Sequence, residues 1–527
     1  MKKFFLNIII LLLLFFLFCI DNTLCKADYL PLYCNEGATG SSYVNFDFFG
    51  YVKNKIDSVF KKSNDEVYTV HPDMNNYNYI NVKSFGARGD GTTDDTNCIQ
   101  TAINSASKGH TVYFPKGKYV IGSIFLKSGV NYDFGNSDLI CLSDTPLTAN
   151  GMVKAVTTMK VYKALEKKIL VDDANMAETG DLVHVIAKAD PFNTFRKYYY
   201  KGGLALTQNV DKQKCELNIE KPFLFDIKPE ETIVKIVTPW YGKILNIHSA
   251  TFKQKSSLKY LLRIEYGDSV LVENVNCNMA DGYNIIDLIG CYSCVIDSCN
   301  LNKTKVHDIG YSYNIMFCAC TDCIIKNCNM KTMWHCYTNG GGIGCTVGTK
   351  ILDCTMLTDG RVPACTEHAN GINTFVNNSK IEGLILSCGA TVKNCKLLEV
   401  HNNKRSEGTC FRFTAQHNDW LFNNYILEDC EIQRTRDFGA CVFLIQNGKK
   451  KDSVKKLGYV NSIVIKNCKV IDNKRCTLLA YTNSFVDIHK IDISNCNNIF
   501  LDVPSNRSVF KQGNHIYKLE IVASRDL

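Results

Sequence analysis

Val295-Ile296-Asp297-Ser298-Cys299, Ile324-Ile325-Lys326-Asn327-Cys328 and Ile351-Leu352-Asp353-Cys354 repeat one phrase: aliphatic residues, a polar residue, then cysteine. The phrase is also read at Val272–Cys277, Val392–Cys395, Ile426–Cys430, Ile463–Cys468 and Ile491–Cys496, with successive cysteines 22, 29, 26, 41, 35, 38 and 28 positions apart. A recurrence every few tens of residues marks a solenoid, in which one unit cannot bury its apolar face and stacking buries it. The unit is short and β-branched, so it is a strand and a turn, not a helix pair. Nearly every cysteine follows Asn, Asp or Ser. Asn and Asp tolerate the left-handed backbone of a sharp bend, and stacked Asn side chains can bond from coil to coil. The uneven spacing fits strands of fixed length joined by loops of variable length. The expected fold is all-β: a single-stranded, right-handed parallel β-helix with loops on one flank free to build a site.

Of 527 residues, 46% are hydrophobic, ample for a core, and the net charge of +8 favours an acidic partner only weakly. No nucleic-acid partner is expected. Met1–Cys25 reads as a signal peptide: Lys2 and Lys3, the apolar run Phe4–Ile20, then small residues before Lys26. No second apolar stretch of spanning length follows, so the chain is expected to be secreted, or to lie at the cell surface or in the periplasm. Twenty-six cysteines in an exported chain suggest disulfides, but a repeat cysteine is also a good small core residue. Cys291-x-x-Cys294 and Cys320-x-x-Cys323 have the look of a four-cysteine zinc site. Each pair is nevertheless offset by 29, about one coil, which favours stacked thiols or inter-coil disulfides. No metal site is expected.

Residues 26–78 are polar, aromatic and irregular. At Ile80–Thr96 a strand runs into a glycine-rich turn, Gly86-Ala87-Arg88-Gly89-Asp90-Gly91, with Asp94 or Thr93 as a ready helix cap. Cys98, Ile99, Ala102, Ile103 and Ala106 then fall at helical spacing, Gly109 ends the helix, and Thr111–Pro115 and Tyr119–Ile121 resume strands. An amphipathic helix here would close the open end of the solenoid. Residues 79–144 are thus the β-helix start. Residues 145–240 leave the rhythm and read as a β insertion, containing Glu178–Ile186 and Tyr198-Tyr199-Tyr200-Lys201-Gly202-Gly203, whose aromatics are read as insertion core, with contact to a glycan as the alternative. Coils then run over 241–500, and 501–527 cap the far end.

The phrase over Ile80–Val120 closely resembles the opening of the pectate-lyase-like superfamily, and the insertion is similar to one in its phage-type members. The resemblance implies a right-handed β-helix, and a family that includes hydrolases, lyases, epimerases and tailspikes. A branch common in phage tail and bacterial surface proteins has a Tyr-x-Tyr strand, an Arg-His phrase with Thr and glycines, a His phrase with a carboxylate, and an Arg-containing strand. Tyr311 and Tyr313, His335 with Gly340–Gly342, His368 and Arg412 match these by position. Trp334 stands where that branch has Arg, and Glu367 precedes His368 instead of following it. Calcium in some relatives and trimers among tailspikes make a calcium ion and a homotrimer further implications of the resemblance; no acidic cluster asks for calcium, and no cofactor is expected.

His335 and His368 are 33 apart, about one coil, and stacked strands sit about 4.8 Å apart. Two histidines, the carboxylate of Glu367 and Arg412 on one face suit acid–base work on an acidic sugar. Arg412 would hold a uronate carboxylate. Trp334, Tyr311, Tyr313 and Asn339 would bind the sugar. Hydrolysis would instead need two flanking carboxylates, for which Asp281, Asp287, Asp308 and Asp359 are candidates beside Glu367. The reading is an exported enzyme that cleaves or epimerises a polysaccharide, as lyase or glycoside hydrolase. The alternative is a non-catalytic adhesin or glycan-binding β-helix, favoured if both imidazoles point into the coil.

Overall fold

The computed structural model describes residues 78–191, 199–253, 260–279, 284–303, 313–340, 342–359, 362–368, 370–400, 410–413, 424–434, 440–445, 458–471, 476–482, 486–497, 499–502 and 520–523, all within the compact unit of residues 74–527. The signal segment, residues 26–77, Tyr311, the Lys449–Lys456 charge run and most of the C-terminal cap lie outside the described residues. The fold is the expected parallel β-helix. Each coil lays a strand on a first sheet, bends into a second and crosses to a third, as in Ile325↔Ile351, Met330↔Met356 and Tyr337↔Cys365, all parallel. The third sheet has twelve strands among the described residues, from Ile124–Leu126 to Ile499–Asp502.

The bend between the first two sheets explains the repeat. Asn246, Asn274, Ser298, Asn327, Asp353, Asn378, Asn394, Asp429, Asn467 and Asn495 all have φ between 47° and 62°. Each such conformation costs most residues about 1–2 kcal/mol and costs Asn and Asp less. The main-chain N–H of Asn327 donates to Leu352 O at 3.0 Å, that of Asp353 to Asn377 O at 3.1 Å, and that of Asp429 to Lys466 O at 3.1 Å. Side-chain amides climb beside them: Asn274 to Asn246 at 2.8 Å, Asn467 to Asp429 at 3.0 Å, and Asn495 to Asn467 at 2.8 Å.

Two readings change in register. Cys277 pairs with Leu301, not Cys299, and the place of Cys299 is held by Val275. The interval of 41 between Cys354 and Cys395 hides a whole coil whose corner is Asn378-Ser379. The Ser379 hydroxyl donates to Asn377 O at 2.8 Å, as the thiols of Cys328 and Cys354 donate to Lys326 O and Leu352 O at 3.1 Å. Every described cysteine is a free thiol, so the disulfide alternative has no bonded pair among the described residues. Cys291, Cys294, Cys320 and Cys323 donate to carbonyls of the preceding coil, and no described group of three or more His, Cys, Asp or Glu is arranged to hold a metal ion.

The helix spans Thr96–Ser105 and buries Ile99, Ala102 and Ile103. Its cap is Asp95, not Asp94 or Thr93. The Asp95 carboxylate is occupied by the N–H groups of Arg88 and Gly89, while Asp94 accepts from Thr96 N at 3.0 Å. The helix stops at Ala106, before Gly109. Gln100 bonds both the N–H and the C=O of Phe125, at 2.9 and 3.1 Å, and so covers the outer edge of the third sheet's first strand. The insertion begins after Asn150, since Leu147–Asn150 is still a third-sheet strand, and forms a separate six-stranded sheet. Among the described residues no helix is long and apolar enough to cross a membrane.

Replacing Asn327 with Ala should lower unfolding stability by about 2 kcal/mol, through the left-handed backbone and the lost side-chain bond. Replacing it with Gly should cost less, because only the bond is lost. Denaturant titration of the two variants measures the difference; equal losses would contradict the role of the corner.

Candidate active site on the outer face of the third sheet

Side chains alternate along a strand. Leu262 and Ile264, Ile286 and Leu288, Ile315 and Phe317, and Phe411 and Phe413 all lie in the core. The residues between them, Arg263, Asp287, Met316 and Arg412, therefore leave on the outer face. Register joins them in one column: Arg263, Asp287, Met316, Thr338, Thr366, Ile385 and Arg412.

His335 enters this face through a bulge. The N–H groups of Cys336 and Tyr337 both donate to Ala364 O, at 2.7 and 3.2 Å, and both side chains lie in the core. Two residues opposite one is a β-bulge, which re-aims the neighbouring side chain. His335 thus leaves outward, 9% exposed. Its ring stacks on Tyr313 with centroids 5.7 Å apart and 16° between planes, and Trp334 lies 5.2 Å away at 54°. His335 Nδ1 is 2.6 Å from Pro363 O and 3.3 Å from Thr366 Oγ1. A carbonyl only accepts, so Nδ1 carries the proton and Nε2 the lone pair. Burial lowers the pKa of His335 to about 4, against the pull of the Pro363 carbonyl. The ring is therefore neutral, a proton acceptor.

His368 sits just past the end of the next strand and is half-buried. Its main-chain N–H donates to Asn339 Oδ1 at 2.5 Å, and Asn339 Nδ2 donates to Asn370 Oδ1 at 3.0 Å. Asn339 was expected to bind sugar; wholly buried, it spends these amide contacts on holding the His368 turn. The His368 ring stacks on Tyr199 of the insertion, centroids 5.8 Å apart at 25°. His335 reaches Thr366 Oγ1 of the outer column and His368 faces Tyr199 of the insertion, so neither ring points into the coil interior.

Glu367 points the other way. Only 2% exposed, it accepts from Thr374 Oγ1 at 2.5 Å, Ser387 N at 3.1 Å and the Tyr337 hydroxyl at 3.4 Å. Tyr337 is a core residue, so this carboxyl lies on the interior side of the sheet, away from the histidines' face. Burial pushes its pKa up to about 7 against those three bonds. Asp287, on the outer face, is also raised to about 7 by burial, while its bond from Asn284 at 2.5 Å and the charges of Arg263 and Lys303 pull it down. Arg412 is half-buried, two strand steps from Thr366, about 10 Å at the usual spacing. The structure therefore brings Tyr313, Trp334 and His335 into one cluster and places Arg412 in the neighbouring column that holds Met316, Thr338 and Thr366. Asp281, Asp308 and Tyr311 lie outside the described residues. Pro363 and Thr366, which set the His335 tautomer, had no signal in the sequence beyond their position one coil later.

Residues 79–221 match the family model described as rhamnogalacturonase A/epimerase, pectate lyase-like. Over 168 residues, 30% of its length, the chain is 31% identical to alginate lyase 7 of Azotobacter vinelandii, and that stretch spans 18% of the lyase. The structure resembles the tailspike gp49 of Pseudomonas phage LKA1 with a TM-score of 0.60 and 18% identity, over 81% of this chain and 82% of that one. It also resembles the gp54 tailspike of Acinetobacter baumannii bacteriophage AP22, solved in complex with A. baumannii capsular saccharide, with a TM-score of 0.57 and 14% identity, over 84% and 79% of the two chains. The fold is therefore that of the parallel β-helix proteins, and residues 79–221 are similar to the pectate-lyase-like family model.

The folded state keeps a proton on Glu367 up to about pH 7, whereas an unfolded glutamate loses it near its ordinary value of 4.5. Raising the pH through that window therefore destabilises the fold. Glu367→Gln should gain on the wild type between pH 4.5 and 7 by on the order of 3 kcal/mol. Thermal unfolding at pH 5 and pH 8 reads the difference; a gap independent of pH would contradict the buried, protonated carboxyl.

Proposed function

We propose that this chain is an exported enzyme that acts on an acidic polysaccharide laid along the outer face of the third sheet, by removing the proton next to a uronate carboxylate. One observation carries the reading: a neutral histidine on the outer face, its Nδ1–H tied to Pro363 O and its ring held against Tyr313. His335 Nε2 takes the C5 proton. Arg412 pairs with the carboxylate on which the electron pair is held. In a lyase the pair then forms the C4–C5 double bond, and the leaving O4 takes a proton from His368. In an epimerase C5 takes a proton back from the opposite face. Trp334 and Tyr313 offer apolar surfaces to sugar rings.

The matched alginate lyase and the tailspike bound to a capsular saccharide support a polysaccharide partner. Glycoside hydrolysis is less well served, since it needs two carboxyls on the groove and Glu367 is turned inward. The same inward turn favours, as a second reading, a surface that binds glycan without turnover. Export rests on the Met1–Cys25 segment. A homotrimer and a calcium ion rest on the resemblance alone.

The full chain should be incubated with uronate-rich and neutral polysaccharides while ultraviolet absorbance, reducing ends and uronate composition are followed. New double bonds or altered uronates on acidic polymers only are expected, with His335→Ala reducing the rate by about 100-fold or more. Reducing ends without double bonds, glycan retention without turnover, or an unaffected His335→Ala would refute the assignment.

A further inference from the structure

The insertion meets the coils beside the site. Its core includes Cys345, Ile372 and Cys388, three coil residues, so insertion and β-helix share packing. Gly203 makes that approach feasible: a Cβ there would lie 3.3 Å from Cys345 O. A Cβ on Gly344, in the facing coil, would lie 3.0 Å from Gly203 N, and Cys345 N donates to Gly202 O at 3.2 Å. His184 pins the same seam, with Nε2 2.6 Å from Ile343 O and Nδ1 3.1 Å from the Tyr266 hydroxyl. Thr321 Oγ1 donates to Leu204 O at 2.8 Å. The strand that carries Tyr200–Asp211 is therefore fixed to the wall of the groove, and Tyr199, immediately before it and 4% exposed, is carried onto the His368 ring.

We propose that the insertion completes the active site, with Tyr199 as a positioning residue that sets the orientation of the His368 ring. The backbone of His368 is fixed from below by Asn339, and the rotation of its side chain is fixed from above by a ring 5.8 Å away and nearly parallel to it. The proposed role falls to the stacked ring face, so phenylalanine should serve as well as tyrosine. The stretch Tyr199-Tyr200-Lys201-Gly202-Gly203 then has a functional reason: Gly203 lets the insertion come close enough to the coils for Tyr199 to reach the histidine.

This rests on the acid–base reading of His368, and two measurements separate the two. In turnover of the acidic polymer, Tyr199→Ala should lower kcat by about tenfold or more with KM changed by less than about twofold, and move one limb of the pH profile. Tyr199→Phe should retain both values. In protein carrying 13C-labelled histidine, the His368 ring signal, identified by its loss in His368→Gln, should shift downfield in Tyr199→Ala and stay in place in Tyr199→Phe. If the wild type turns over no polymer, the acid–base reading fails, and the ring signal still decides whether Tyr199 stacks on His368. An unmoved signal in Tyr199→Ala, or an unchanged kcat in an active enzyme, would overturn the proposal.

Discussion

At one corner of each coil a residue in the left-handed region turns its main-chain N–H to a carbonyl of the following coil, and the stack depends on that contact. Asn327, Asp353, Asn394 and Asp429 each make it, at 3.0 to 3.1 Å. A buried or half-buried N–H without such a partner would cost about 1–3 kcal/mol, so a coil that missed its corner would not dock. The thiol beside the corner is secondary. Val275 and Ser379 hold the same place, and Ser379 makes the same carbonyl bond as its cysteine neighbours. What recurs is the backbone conformation; cysteine is one of several small residues that fit beneath it.

From that corner the outer wall follows. Coils locked in parallel register align every third strand, and alternation sends Asp287, Met316, Thr366 and Arg412 to one face. The bulge at Cys336 and Tyr337 adds what alternation cannot, an imidazole re-aimed onto that face with its tautomer fixed by Pro363. Burial on one side and aromatic contact on the other leave His335 as a neutral acceptor beside a column that includes the Arg412 guanidinium.

Much of this was legible in the sequence because it is repetitive. The solenoid, its end-closing helix and the insertion followed from periodicity and from the Ile80–Val120 phrase. The register did not. Cys277 resembles the repeat yet belongs two places off, because the phrase is defined by φ at Asn274 and not by the thiol. The coil at Ser379 was missed because it lacks cysteine. Among the candidate residues, His335 was singled out by its spacing and its likeness to a known pattern, and Trp334 because it departs from that pattern. Glu367 and Asn339 were placed in the groove because adjacency in sequence does not show which way a side chain turns at a strand end. Tyr199 lies far away in sequence, and only the glycine-mediated docking of the insertion brings it to His368.

The wall assembled by these corners is tested most directly by a crystal structure of the full chain with an oligouronate bound. The expected result is sugar density along the third sheet's outer face, over Met316, Thr338 and Thr366, with a carboxylate at Arg412 and a ring near Trp334. Sugar seated on the first or second sheet, or His335 turned into the coil interior, would contradict the account.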